Sequence, residues 1–193
     1  MSITLPNFLS VLRLGLVPVF VIAVVNGQPV SALLVMALAG LTDALDGYFA
    51  RYLHQQSLLG SYLDPIADKL LMTAAYVVLS VPTLHQGVSI PVWVTVLVIT
   101  RDVIILSLAL VIYLTVGVRR FPPTWLSKVN TVLQVVAVLL VLVSGIWLAM
   151  GPIARVAVYL VALSTATSGI QYGVRVARMS GEEHAGDQTE KPR

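Results

Sequence analysis

The chain has 193 residues, of which 58% are hydrophobic and only 11% are charged, and its mean hydropathy is +0.91. Charged residues make up about a quarter of a typical soluble domain, so this composition excludes most soluble classes and predicts an integral membrane protein. The net charge is +3, and the absence of cysteine excludes disulfides, thiolate nucleophiles and Cys-ligated metal sites. Any bound metal must therefore be held by oxygen or imidazole ligands.

Glycine, proline and asparagine residues divide the chain into six apolar stretches. A helix needs about 20 residues to cross the hydrocarbon core, and most of the stretches reach this length. We therefore predict an all-α integral membrane protein with six transmembrane helices. The stretches cover residues 11–25, 30–53, 58–80, 91–117, 125–149 and 153–178.

The two ends of the chain differ from the apolar stretches. The segment "TLPNFLSVLR" predicts a short N-terminal helix on the membrane surface. If the N-terminus is cytoplasmic, the lysines and arginines of the loops gather on the cytoplasmic side and only Arg155 lies opposite, which predicts that both termini are cytoplasmic. Residues 1–179 are expected to form one transmembrane domain, and the polar residues 180–193 a disordered tail.

Four aspartates lie inside the second and third apolar stretches. Residues three or four apart share a face of a helix, so each stretch carries a polar stripe. With a turn at "HQQS", we expect an antiparallel hairpin in which Asp43 lies level with Asp68 and Asp46 level with Asp64. The stripes contain Asp43, Asp46, Gly47, Ala50 and Arg51 on one helix and Gly60, Asp64 and Asp68 on the other.

The aspartates need positive charge near them, because each costs roughly 2.5–3.5 kcal/mol at the centre of a membrane helix before mutual repulsion is added. Hard divalent cations prefer oxygen ligands, and two of them match four carboxylates in charge. We therefore predict a site for two hard divalent cations, Mg²⁺, Mn²⁺ or Ca²⁺. Two divalent metal ions held side by side in this way bind phosphate oxygens.

Other residues of the stripes allow two interpretations. Gly47 and Gly60 leave room for a ligand, or they permit close packing of helices. Arg51 binds a phosphate, or its side chain extends to the headgroups. Lys69 follows Asp68 directly and points away from the stripe, which favours an anchor at the membrane interface.

The complete run D-x-x-D-G-x-x-A-R, eight residues, G-x-x-x-D-x-x-x-D extends from Asp43 to Asp68. It resembles the signature of the CDP-alcohol phosphotransferases, also called CDP-alcohol phosphatidyltransferases, which are membrane enzymes. The six predicted helices and the N-terminal "LPNFLSVLR" agree with this resemblance, which covers all of the chain except the tail.

The resemblance implies the transfer of a phosphatidyl group from CDP-diacylglycerol to an alcohol, with release of CMP. It assigns Asp43, Asp46, Asp64 and Asp68 as metal ligands, and Asp68 also as the general base on the acceptor hydroxyl. It further implies that the donor nucleotide is bound by Asp43, Gly47, Ala50, Arg51 and Gly60. Asn7 and Arg13 are candidates for closing the donor site.

The acceptor must be recognised elsewhere, and Arg101, Lys128 and Asn130 are the candidates. Arg101 and Asp102 either compensate each other or help to form an acceptor phosphate site, and we favour the second interpretation. Lys128 either anchors the interface or binds the acceptor. Phosphatidylglycerophosphate synthases tend to have a second lysine where this chain has Asn130. A weaker positive site suits the single negative charge of phosphatidylglycerol better than the nearly two charges of glycerol 3-phosphate.

The motifs "ALAGLTDALDG", "RDV" and "PPTWLSKVNTVLQ" look most like the cardiolipin-forming branch of the family. The expected product is therefore cardiolipin, and the alternative activity is phosphatidylglycerophosphate synthesis. A cation or proton transporter would explain the aspartates but not the spacing of the glycines and Arg51. The family resemblance also implies a homodimer that acts on lipid substrates and has no nucleic-acid partner. The active site is expected on the cytoplasmic side of the membrane, which is the inner membrane if the source is a bacterium.

Overall fold

The computed structural model describes the backbone of residues 5–52, 58–116 and 125–189, and most side chains within 11–43, 66–107 and 125–171. In these ranges the chain forms six α-helices, two short 3₁₀ helices and no strand, which confirms the all-helical class. The helices are α1 Leu5–Val25, α2 Pro29–Tyr52, α3 Leu58–Leu79, α4 Val92–Val116, α5 Trp125–Ile146 and α6 Gly151–Thr189, and the 3₁₀ helices are Pro82–Leu84 and Leu148–Met150.

The helices pack through apolar residues spaced three and four apart. On α2 the buried positions are Ala32, Met36 and Ala39, and on α6 they are Ala154, Val158 and Val161. This spacing places the buried side chains of each helix on one face. Helix α1 packs against both α2 and α3, α5 packs against α6, and further contacts join α2 to α5 and α4 to α6.

Two glycines allow tight connections at the end of the bundle where α1, α3 and α5 finish. Gly27 has φ +64°, and its N–H donates to the carbonyl of Val24 at 2.9 Å, which ends α1. Gly87 has φ +101°, and a Cβ there would lie 2.7 Å from the backbone nitrogen of Gly145. The loop between α3 and α4 therefore lies directly on the end of α5.

The described residues include two stretches that are long and apolar enough to cross a membrane, Ser127–Ile146 and Leu148–Gly169. Val11–Val25 and Pro29–Asp43 are shorter apolar helices. Large apolar side chains also cover the outside of the bundle: Leu34 is 65% exposed and Leu163 is 64% exposed. An apolar outer surface of this kind is suited to lipid contact.

Three features differ from the expectations. No separate N-terminal surface helix is present in the described chain, because α1 runs without interruption from Leu5 to Val25. The tail is helical as far as Thr189, where we expected disorder from residue 180. Among the described residues, α2 and α3 are linked mainly through α1, and not by the direct packing of a close hairpin. The predicted turn at residues 54–57 lies outside the described residues.

Candidate active site

Asp43 on α2 contacts an arginine from α1. The Arg13 guanidinium lies 2.7 Å from a carboxylate oxygen of Asp43. The Arg13 side chain is 1% exposed, whereas that of Asp43 is 55% exposed. The ion pair therefore fixes Arg13 inside the bundle and leaves part of the Asp43 carboxylate open to a ligand.

Asp68 on α3 lies half-buried near the same charges. The charges of Asp43, Lys69, Arg13 and Asp102 all act on its carboxylate. The structure thus brings the first and last aspartates of the motif within electrostatic range of each other. Because α1 packs on both α2 and α3, Arg13 supplies positive charge between the two aspartates.

Lys69 does not act as the expected anchor at the membrane interface. Its Nζ donates a hydrogen bond of 2.6 Å to Oδ2 of Asp102 on α4. The Asp102 side chain is 13% exposed and also accepts a 2.8 Å hydrogen bond from Nη1 of Arg101. One carboxylate therefore binds two cations from α3 and α4, which stabilises both in a partly buried position.

Arg101 connects this network to two more helices. Its Nη2 donates to the hydroxyl of Ser127 on α5 at 2.8 Å and to that of Ser168 on α6 at 2.9 Å. The side chain is 6% exposed. The interpretation that Arg101 and Asp102 compensate each other is thus confirmed as a contact. Neither serine was identified from the sequence, because hydroxyl partners on other helices leave no local pattern.

The other two candidate acceptor residues lie on α5 and differ in exposure. Lys128 is exposed. Asn130 is fully buried, and its Oδ1 accepts hydrogen bonds from Ser164 at 2.5 Å and Thr165 at 3.0 Å, both on α6. Asn130 therefore contributes to the contact between α5 and α6, and Lys128 is the more accessible of the two.

The remaining predicted site residues fall where side chains are outside the described set. Their backbone positions still follow from the helices. Asp46, Gly47, Ala50 and Arg51 lie in α2, and Gly60 and Asp64 lie in α3. The helical spacing on which the stripes depend is thus present on both elements.

Of the four predicted metal ligands, Asp43 and Asp68 are those whose side chains the structure describes. Within the described part of the chain, no group of three or more acidic or histidine side chains is close enough to hold a metal. Asp43 and Asp68 offer carboxylate oxygens, which hard divalent cations prefer, and Asp43 is open to a ligand. The chemistry of these two residues therefore fits Mg²⁺ or Mn²⁺.

Comparisons with known proteins agree with the motif. A family model described as CDP-alcohol phosphatidyltransferase matches residues 3–168. A human cardiolipin synthase (CMP-forming) is 40% identical over 151 residues, which is 70% of this chain and 48% of that protein. This chain thus spans about half the length of that relative.

Two relatives named for glycerol 3-phosphate are similar over a larger share of their own length. The CDP-diacylglycerol–glycerol-3-phosphate 3-phosphatidyltransferase of Bacillus subtilis is 31% identical over 185 residues, covering 87% of this chain and 92% of that protein. The enzyme of the same name from Haemophilus influenzae is 38% identical over 114 residues, covering 56% of this chain and 58% of that protein. The chain belongs to the CDP-alcohol phosphatidyltransferase family.

Proposed function

We propose that the protein is a membrane phosphatidyltransferase that moves a phosphatidyl group from CDP-diacylglycerol to phosphatidylglycerol, giving cardiolipin and CMP. Membership of the family supports the reaction type. If all six helices span the bilayer, both termini lie on the same side, and the distribution of lysine and arginine supports the cytoplasmic side for the termini and the active site. The donor's acyl chains then stay in the bilayer while its diphosphate reaches the aspartates.

The donor site in this proposal consists of the motif residues. Asp43, Asp46, Asp64 and Asp68 hold the divalent ions, and Gly47, Ala50, Arg51 and Gly60 bind the cytidine nucleotide. Divalent ions held by these residues would neutralise charge on the diphosphate and on the leaving CMP. Arg13 holds Asp43 in position at 2.7 Å and adds a fixed positive charge beside the ions.

Asp68 is the proposed general base. The acceptor hydroxyl oxygen attacks the phosphatidyl phosphorus, the bond from that phosphorus to the CMP oxygen breaks, and the hydroxyl proton passes to Asp68. CMP leaves with the electron pair of the broken bond. Asp68 is a suitable candidate because it is half-buried and lies within electrostatic range of Asp43, Lys69 and Arg13.

The charges around position 130 support phosphatidylglycerol as the proposed acceptor. Asn130 is neutral and fully buried, and its Oδ1 is occupied by two hydroxyl groups of α6. Arg101 shares Asp102 with Lys69, which offsets part of the positive charge nearby. Lys128 and Arg101 therefore offer a modest positive field, which suits the single charge of a phosphodiester. Phosphatidylglycerophosphate synthesis remains the second candidate, because two of the similar relatives are named for glycerol 3-phosphate.

The test uses the full chain purified in neutral detergent. It receives CDP-diacylglycerol, Mg²⁺ or Mn²⁺, and either phosphatidylglycerol or glycerol 3-phosphate, and both released CMP and the lipid product are measured. We expect cardiolipin from the first acceptor and loss of CMP release when the metal is chelated. Asp43→Asn, prepared identically, serves as the control for contaminating activity. A product from glycerol 3-phosphate alone would reverse the acceptor, and no CMP with either acceptor would exclude the reaction.

A further inference from the structure

A cavity lies at the end of the bundle away from the aspartates. It has a volume of about 350 Å³ and is lined by residues 87–89, Pro91, and Arg155, Val158 and Tyr159 of α6. Arg155 precedes Ser168, the partner of Arg101, by 13 residues, or roughly 20 Å along the helix. The cavity is thus separate from the candidate active site.

Arg155 brings a positive charge to this cavity that no carboxylate offsets. The sequence contains no aspartate or glutamate in residues 1–42, 70–101 or 103–181, and these ranges include every connection at this end of the bundle. The other cations of the site contrast with it, since Arg13, Lys69 and Arg101 each pair with an aspartate. An unneutralised guanidinium beside the Ser89 hydroxyl favours an anionic ligand with oxygen acceptors.

Apolar side chains adjoin the cavity on the surface of α4 and α6. Tyr159 lies against Trp93 of α4, with ring centroids 6.4 Å apart, and both residues are more than half exposed. One turn further along the two helices, Val96 is 57% exposed and Leu163 is 64% exposed. Exposed Trp and Tyr above aliphatic residues are typical of the boundary between headgroups and acyl chains. A ligand that fits both parts has an anionic head and apolar tails.

We propose that this cavity binds the phosphodiester headgroup of an anionic phospholipid, in the leaflet opposite the active site. Arg155 binds the phosphate, Ser89 and Tyr159 offer hydroxyl groups to its oxygens, and the acyl chains lie along Trp93, Val96 and Leu163. A free inorganic anion would use Arg155 but gain nothing from the apolar surface. The proposal concerns a site that the proposed transfer reaction does not use.

Native mass spectrometry of the full chain in neutral detergent tests this site. Equal concentrations of dioleoyl phosphatidylserine and dioleoyl phosphatidylcholine are added, because neither lipid is a substrate in the proposed reaction. We expect the wild type to retain the anionic lipid about fivefold more than the zwitterionic one, the contribution of one arginine at a membrane surface. Arg155→Gln should remove this preference. Val156→Ala, at a 59% exposed position that does not line the cavity, should keep it.

Arg155→Lys provides a second measurement, because lysine keeps the positive charge but cannot form the bidentate contact of a guanidinium with a phosphate. We expect this variant to show an intermediate preference for the anionic lipid. If Arg155→Gln does not purify as a monodisperse protein, Arg155→Lys decides alone. The same preference in wild type and every Arg155 variant, or its loss in Val156→Ala as well, would overturn the proposal. Loss of the bound phosphatidylserine on addition of millimolar inorganic phosphate would assign the cavity to a free anion and overturn the lipid assignment.

Discussion

Arg13 and Asp43 form an ion pair of 2.7 Å that joins α1 to α2. The first aspartate of the motif is thus paired with a cation that lies 30 residues before it and outside the motif. Because α1 also packs against α3, which carries Asp68, the helix that carries this arginine connects both helices of the candidate site. In the proposed mechanism, Arg13 serves the donor site by positioning Asp43.

We expect Arg13→Gln to lower both stability and activity. Loss of one partner of a buried ion pair costs about 3–5 kcal/mol, and the 55% exposure of Asp43 reduces this to about 1–3 kcal/mol. The thermal unfolding midpoint of the detergent-solubilised protein measures the effect. Arg155→Gln, which removes a cation without an acidic partner, is the matched control. Equal midpoints for Arg13→Gln and the wild type would contradict a stabilising role of the pair.

Asp102→Asn should lower the free energy of unfolding more than Arg13→Gln does, because it leaves both Lys69 and Arg101 without their carboxylate. With 13% exposure of Asp102, the expected loss is about 3–5 kcal/mol. The double variant Asp102→Asn/Lys69→Met should recover part of it, since one of the two unpaired charges is then absent. Unfolding midpoints of Asp102→Asn, Lys69→Met and the double variant give the coupling free energy between Asp102 and Lys69. Strictly additive losses would mean that Lys69 and Asp102 do not stabilise each other.

Asp68→Asn should abolish turnover while leaving donor binding largely intact. A general base contributes about 10²–10⁴-fold to a rate, and the amide cannot accept the proton. CMP release gives the rate, and calorimetric titration with CDP-diacylglycerol gives the affinity. Asp43→Asn is the comparison, because a metal ligand should lose donor binding and turnover together. If Asp68→Asn lost donor binding to the same extent, Asp68 would act mainly as a ligand.

Asn130→Lys should lower the free energy of unfolding, and it should not change the acceptor to glycerol 3-phosphate. Among the described residues, the hydrogen-bond partners of this fully buried side chain are the hydroxyl groups of Ser164 and Thr165, which would lose their acceptor and could not neutralise a lysine. We expect a loss of about 3 kcal/mol or more. Asn130→Ala isolates the lost hydrogen bonds. A stable Asn130→Lys protein that prefers glycerol 3-phosphate would show that position 130 alone sets the acceptor.

The sequence by itself determined the helices and the motif. Apolar stretches ended by Gly, Pro and Asn predicted all six helices to within a few residues, apart from the start of α1 and the end of α6. The motif indicated the family through its resemblance to the family signature, and its spacing predicted the polar stripes because residues three and four apart share a face of a helix. These features depend on local geometry, which the order of residues specifies directly.

Only the tertiary structure decided which charges meet. Lys69 pairs with Asp102 across 33 positions, and Arg101 reaches Ser168 across 67, so no local period predicts either contact. The same holds for α1, which in the described part of the chain packs beside both α2 and α3 and provides the main link between these two helices. In an apolar bundle a charge is stabilised by whichever opposite charge or hydroxyl the packing brings near, and packing is set by all six helices together.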